Sequence, residues 1–152
     1  MRIRLATLAD EQAVRACAED AYERYIEAIG KEPAPMVADF RAQISAKIVH
    51  VLTDDGGDVV GFIVFFTRED HMFLENVAVR GTAAGKGLGK KLIEYCEAEA
   101  RQAGLKKVQL YTNEKMTDNL SMYPHLGFRE IDRRREDGFS RVYFEKDLGT
   151  AQ

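Results

Sequence analysis

The chain has 152 residues, a formal net charge of −3 and a sequence pI near 5.7, with lysines and arginines spread along its length. That size suits a single domain over residues 1–152, and that charge excludes a strongly basic nucleic-acid surface. Nothing approaches the ~20 apolar residues of a membrane span, and Met1-Arg2-Ile3-Arg4-Leu5 lacks the apolar region of a signal peptide, so the cytoplasm is the expected compartment.

Residues 2–6 alternate and predict a first strand. Thr7 and Asp10 form a short capping box ahead of a helix whose Val14, Cys17, Ala18, Ala21, Tyr25, Ile26 and Ile29 recur at helical spacing until Gly30. Pro33 and Pro35 stiffen the connector that follows, and a second short helix carries Val37, Phe40 and Ile44 on one side. Ile48–Leu52 and Val59–Phe66 predict strands joined by a hairpin turn at residues 54–58, and Phe73–Val79 is expected to pair next, antiparallel, after a turn at residues 68–70. Leu88, Leu92, Cys96, Ala100 and Ala103 give a third helix a buried stripe, ended by Gly104. A strand at Lys107–Thr112, a helix at Met116–Leu126 and a hairpin of Phe128–Arg134 with Arg141–Glu145 complete the chain. Cys17 and Cys96 are isolated and read as small packing residues, and the three histidines form no metal spacing.

The segment richest in chemistry is the passage from Phe73–Val79 into Gly85-Lys86-Gly87-Leu88-Gly89-Lys90. Three glycines at alternate positions remove Cβ atoms where a backbone must approach a ligand, and the helix behind them presents free N–H groups and a positive dipole end. Together these suit a phosphorylated cofactor. A dinucleotide fingerprint does not fit, because the third glycine comes one residue early and the strand lies mid-chain. A mononucleotide loop does not fit either, having three residues between its glycines instead of four and a glycine after Lys86. A plain connecting turn would need only one glycine.

At these residues the chain resembles the GNAT superfamily, the acetyl-CoA-dependent N-acetyltransferases. Val77-Ala78-Val79 fits the strand end of the family's central signature, and Ala84-Gly85-Lys86-Gly87-Leu88-Gly89 fits its turn, with Ala84 standing where the family usually has Arg or Gln. Tyr123, Gly127 and Phe128 match a second signature, in which the expected Asn falls on Met116 and a small residue on Asn119. Asn113 and Asn119 are the alternative amides for the cofactor. Pro124 directly after the tyrosine is a further departure.

The resemblance implies an α/β (α+β) fold, a mixed and mostly antiparallel sheet of about seven strands flanked by about four helices. It implies acetyl transfer from acetyl-CoA to a primary amine, small-molecule amines first. A protein N-terminus or lysine, or a non-catalytic acyl-CoA-binding protein, is the alternative. Tyr123 is then the proton donor to the departing thiolate, or an aromatic that packs on Phe128. Glu75 is the base, or a structural partner, with Asp70 and His71 in reserve. Val77, Ala78 and Val79 would offer main-chain groups to the pantetheine arm, and residues 84–90 would hold the pyrophosphate. Tyr22, Tyr25 and Met36 would meet the acceptor, or serve as core. No nucleic acid or membrane partner is expected, and a homodimer is left open.

Overall fold

The computed structural model describes residues 1–83 and 85–149. Among these, the elements run β1 (Arg2–Leu5), α1 (Glu11–Tyr22), α2 (Ile26–Ile29), α3 (Phe40–Ser45), β2 (Val49–Thr53), β3 (Val59–Arg68), β4 (His71–Val79), α4 (Leu88–Gln102), β5 (Lys107–Asn113), α5 (Thr117–His125), β6 (Arg129–Glu136) and β7 (Phe139–Asp147). The sheet order is β1-β2-β3-β4-β5-β7-β6. β4 and β5 pair parallel, as a crossover through α4 requires, while β1–β2, β2–β3, β5–β7 and β6–β7 pair antiparallel. This is the mixed, mostly antiparallel architecture expected.

The residues group into two compact units. The first comprises Met1–Phe65 and Glu75–Glu94. Its core is built from Val14, Cys17 and Ala18 of α1, Phe40 and Ile44 of α3, and Val49, Val51, Phe62 and Val64 of the sheet. Phe40 meets Phe62 edge-on, with centroids 5.5 Å apart. The Thr7–Asp10 box forms: Asp10 accepts from the Thr7 N–H at 2.8 Å and from Arg4 at 2.8 and 3.0 Å. The Arg4 guanidinium holds that carboxyl below its usual range.

Two expectations in this unit need correction. The helix expected to run to Ile29 is interrupted by a 3-10 turn at Glu23–Tyr25 before α2 begins. The tighter turn brings residues three apart into line, so Tyr22 and Tyr25 both point inward and are 7% and 8% exposed. Val37 lies outside α3 and is 52% exposed. The helix starts only at Phe40, because Asp39 caps it by accepting from the Ala42 N–H at 3.0 Å.

The second unit comprises Phe66–Leu74 and Tyr95–Gln152. Its core gathers Phe73, Leu74, Cys96, Ala100, Val108, Leu110, Phe128, Val142 and Phe144. β6 reads Arg-Glu-Ile-Asp-Arg-Arg-Arg-Glu and is exposed along almost its whole length. So charged a strand belongs at a sheet edge, which is why β7 and not β6 pairs with β5.

Candidate active site

β4 carries the first half of the candidate residues. Along Glu75 to Val79, Glu75, Val77 and Val79 are half-buried while Asn76 and Ala78 are buried. Glu75 Oε2 accepts from Gln43 Nε2 of α3 at 2.7 Å. Asn76, only 4% exposed, accepts at Oδ1 from the Tyr22 hydroxyl at 2.9 Å and donates through Nδ2 to the Pro35 carbonyl at 3.0 Å. The Tyr22 hydroxyl also lies 2.8 Å from the Val77 carbonyl, and the Cys17 thiol approaches the Ala78 carbonyl at 3.8 Å. Burial pushes that thiol up to about 12, so at neutral pH it is a packing group and no nucleophile.

The acceptor-side candidates are all buried and tied into the first unit. Tyr22 ties α1 to β4. Tyr25 lies under the Arg24 guanidinium, 4.9 Å from its ring centroid, and its hydroxyl accepts from Arg24 at 3.0 Å. Met36 is buried at the end of the 3-10 turn Ala34–Met36, which Asn76 pins to the strand through Pro35.

Beyond β4 the chain turns through residues 81–83, where Asp20 of α1 accepts from the Gly81 N–H at 2.6 Å. Ala84 lies outside the described residues. Gly85 and Gly87 have φ of +79° and +72°, the left-handed region in which a side chain is strained. A Cβ placed on Gly85, Gly87 or Gly89 would meet nothing within 4 Å among the described residues. The turn is thus open on the side where a ligand would lie, and helix α4 follows at once. Leu88 turns its side chain into the core, so only its main chain can serve a ligand; Lys86 and Lys90 are exposed.

In the second unit, the second signature corresponds to one helix ending. The Phe128 N–H donates to the Tyr123 carbonyl and the Gly127 N–H to the Pro124 carbonyl, at 3.0 and 3.1 Å, which is a Schellman motif with Gly127 at φ +94°. The ring contact between Tyr123 and Phe128, edge-on at 5.6 Å, is the apolar contact that accompanies such an ending. Pro124 falls in the last turn of α5 without preventing it. Tyr123 also packs on Phe144 at 5.7 Å and is 4% exposed, and burial pushes its phenol well above its ordinary value. No hydrogen bond to its hydroxyl occurs among the described residues. The two amides are engaged locally: Asn113 Oδ1 accepts from the Lys115 N–H at 2.9 Å, and Asn119 Nδ2 donates to Thr112 Oγ1 at 3.1 Å. Met116, in place of the expected Asn, is buried. His71 opens β4, buried and 3.2 Å from Asp70.

A family model described as acetyltransferase (GNAT) family matches residues 11–128, from the start of α1 through Phe128. The chain belongs to the GNAT family. The uncharacterized N-acetyltransferase YjgM of Escherichia coli (strain K12) is 42% identical over 48 residues, 32% of this chain and 29% of that protein. The uncharacterized N-acetyltransferase YvbK of Bacillus subtilis (strain 168) is 30% identical over 91 residues, 59% of this chain and 58% of that protein. The matched chain thus spans less than two thirds of either relative. The solved structure of paiA N-acetyltransferase from Thermoplasma acidophilum in complex with coenzyme A has a TM-score of 0.78 at 16% identity, covering 96% of this chain and 98% of that one. At that identity the likeness is one of fold.

Gln43, Asn76 and Asp20 were not legible as site residues. Asn76 did carry a signal, being a polar residue in an apolar strand beside Glu75. Gln43 and Asp20 carried none, because a polar residue on a helix ordinarily faces solvent.

Proposed function

We propose that residues 1–152 act as one GNAT domain that transfers the acetyl group of acetyl-CoA to the primary amine of a small molecule. The observation carrying this reading is the open turn, in which Gly85 and Gly87 sit at positive φ and no Cβ at Gly85, Gly87 or Gly89 would meet a described atom. Such a backbone can approach a pyrophosphate, and the α4 dipole favours the anion there. The solved relative with coenzyme A supports the choice of ligand.

Acetyl-CoA supplies an activated acyl carbon and a thiolate leaving group. Gly85 to Gly89 hold its pyrophosphate by main-chain N–H groups, with Lys86 and Lys90 adding charge at the rim. Main-chain groups of Val77 to Val79 align the arm. Glu75 takes the proton of the attacking amine, since an ionised carboxylate is an acceptor within an otherwise apolar strand. Tyr123 gives its proton to the departing sulfur. Burial keeps that phenol protonated at neutral pH, as a donor must be. The Pro33–Met36 connector, fixed to β4 through Asn76, favours a small acceptor over a polypeptide, which would want a more adaptable approach.

Free-thiol release from acetyl-CoA, measured over a panel of small primary amines and of peptides with free N-termini or lysines, tests the reading. Turnover with a small amine is expected. Turnover with peptides alone would move the activity to protein amines. Binding of acetyl-CoA without any turnover would make the chain an acyl-CoA-binding protein.

A further inference from the structure

Glu75 does not stand alone on its strand. Helix α3 is seated by Phe40, which is fully buried against Phe62, by Ile44, and by the Asp39 cap. That seating fixes Gln43, the residue before Ile44, and its Nε2 donates to Glu75 Oε2 at 2.7 Å. The other end of the same amide is in an unfavourable place. Gln43 Oε1 is buried with no hydrogen-bond donor among the described residues. Reversing the amide would set Oε1 against the carboxylate, acceptor to acceptor, so the ionised Glu75 itself selects the orientation that strands Oε1. An apolar side chain of similar size would avoid this desolvation cost. Stability alone therefore does not account for glutamine here; its gain is the single N–H given to Glu75.

We propose that Gln43 is a positioning residue for Glu75, holding the carboxylate in the rotamer from which it takes the acceptor's proton. The inference rests on the reading of Glu75 as the base. Only some rotamers of a glutamate carboxylate reach a bound amine, and the Gln43 N–H favours the one it bonds.

Gln43→Leu, Glu75→Gln and the double variant test this in the full chain. Rates are read with the fastest primary amine of the panel, and as amine-free hydrolysis of acetyl-CoA. For Gln43→Leu, kcat is expected to fall by roughly 10-fold to 10²-fold while the KM for acetyl-CoA stays within about twofold. Its Tm should equal or exceed that of the parent, which a purely structural glutamine would not give. In the Glu75→Gln background, Gln43→Leu should change the rate by less than about twofold, because the two act as one unit. If Gln43→Leu keeps more than about half of kcat while Glu75→Gln falls to a small residual rate, the positioning role is overturned and the base survives. Multiplying effects in the double variant would equally overturn it, since Gln43 would then act apart from Glu75. An active Glu75→Gln would remove the base, and this inference with it.

Discussion

Tyr123 occupies the position in α5 whose carbonyl receives the Phe128 N–H, so its backbone and ring are both fixed by the helix ending. The sequence signature of Tyr, three residues, Gly and Phe is thus legible for a physical reason: Gly127 supplies the left-handed residue and the two aromatics close the motif. Packing explains the ring, and the hydroxyl is left without a described partner. Tyr123→Phe removes only that hydroxyl. A hydroxyl that makes no hydrogen bond within the protein adds little to a fold, so the Tm should hold or rise slightly. Turnover should nevertheless fall by ~10²–10⁴-fold, the usual contribution of general acid catalysis, with acetyl-CoA affinity changed only a few-fold. Steady-state rates with chemistry shown to be limiting, alongside titration calorimetry, measure both. A variant that retains more than about half of the turnover would assign Tyr123 to packing alone.

At the scale of elements, the turn into α4 separates into glycines that the backbone needs and one that it does not. Gly85 and Gly87 need their positive φ, so substitution there strains the turn whatever binds. Gly89 lies in the first turn of α4, where a Cβ meets nothing within 4 Å among the described residues. Gly89→Ala should therefore leave the fold intact or stabilise it by about 0.5–1 kcal/mol, since glycine is a poor helix residue. If the missing Cβ is there for the pyrophosphate, acetyl-CoA affinity should drop by about tenfold or more, ~1.4 kcal/mol. Lys86→Ala should weaken binding less, because an exposed charge is screened by salt. Unchanged affinity in Gly89→Ala would place the ligand elsewhere on the turn. Element order, and strand bounds to within two residues, were legible because turn residues and period-two alternation mark them. The break after α1 was not, because a 3-10 turn changes the period by only half a residue per turn, and the inward tyrosines decide between the two.

For the whole molecule, the two compact units do not divide at linkers. The chain passes between them at Phe65/Phe66 inside β3, at Leu74/Glu75 inside β4 and at Glu94/Tyr95 inside α4. Independent domains usually meet at exposed, flexible segments where few contacts cross. Two strands and a helix thus each contribute residues to both units. The chain is therefore expected to unfold in a single cooperative transition, with calorimetric and van't Hoff enthalpies equal and near 100 kcal/mol, from ~0.7 kcal/mol per residue around 60 °C. Acetyl-CoA at about 100 times its dissociation constant should move that one transition upward, by the equivalent of ~2.7 kcal/mol, while NAD and ATP should move it much less. Scanning calorimetry with and without each ligand measures all of these. Two resolved transitions, only one of them ligand-dependent, would mean that the units fold separately and that residues 1–152 are not one domain. A single transition shifted equally by all three ligands would keep the domain but remove acetyl-CoA as its specific ligand, and with it the acetyltransferase reading of the glycine turn.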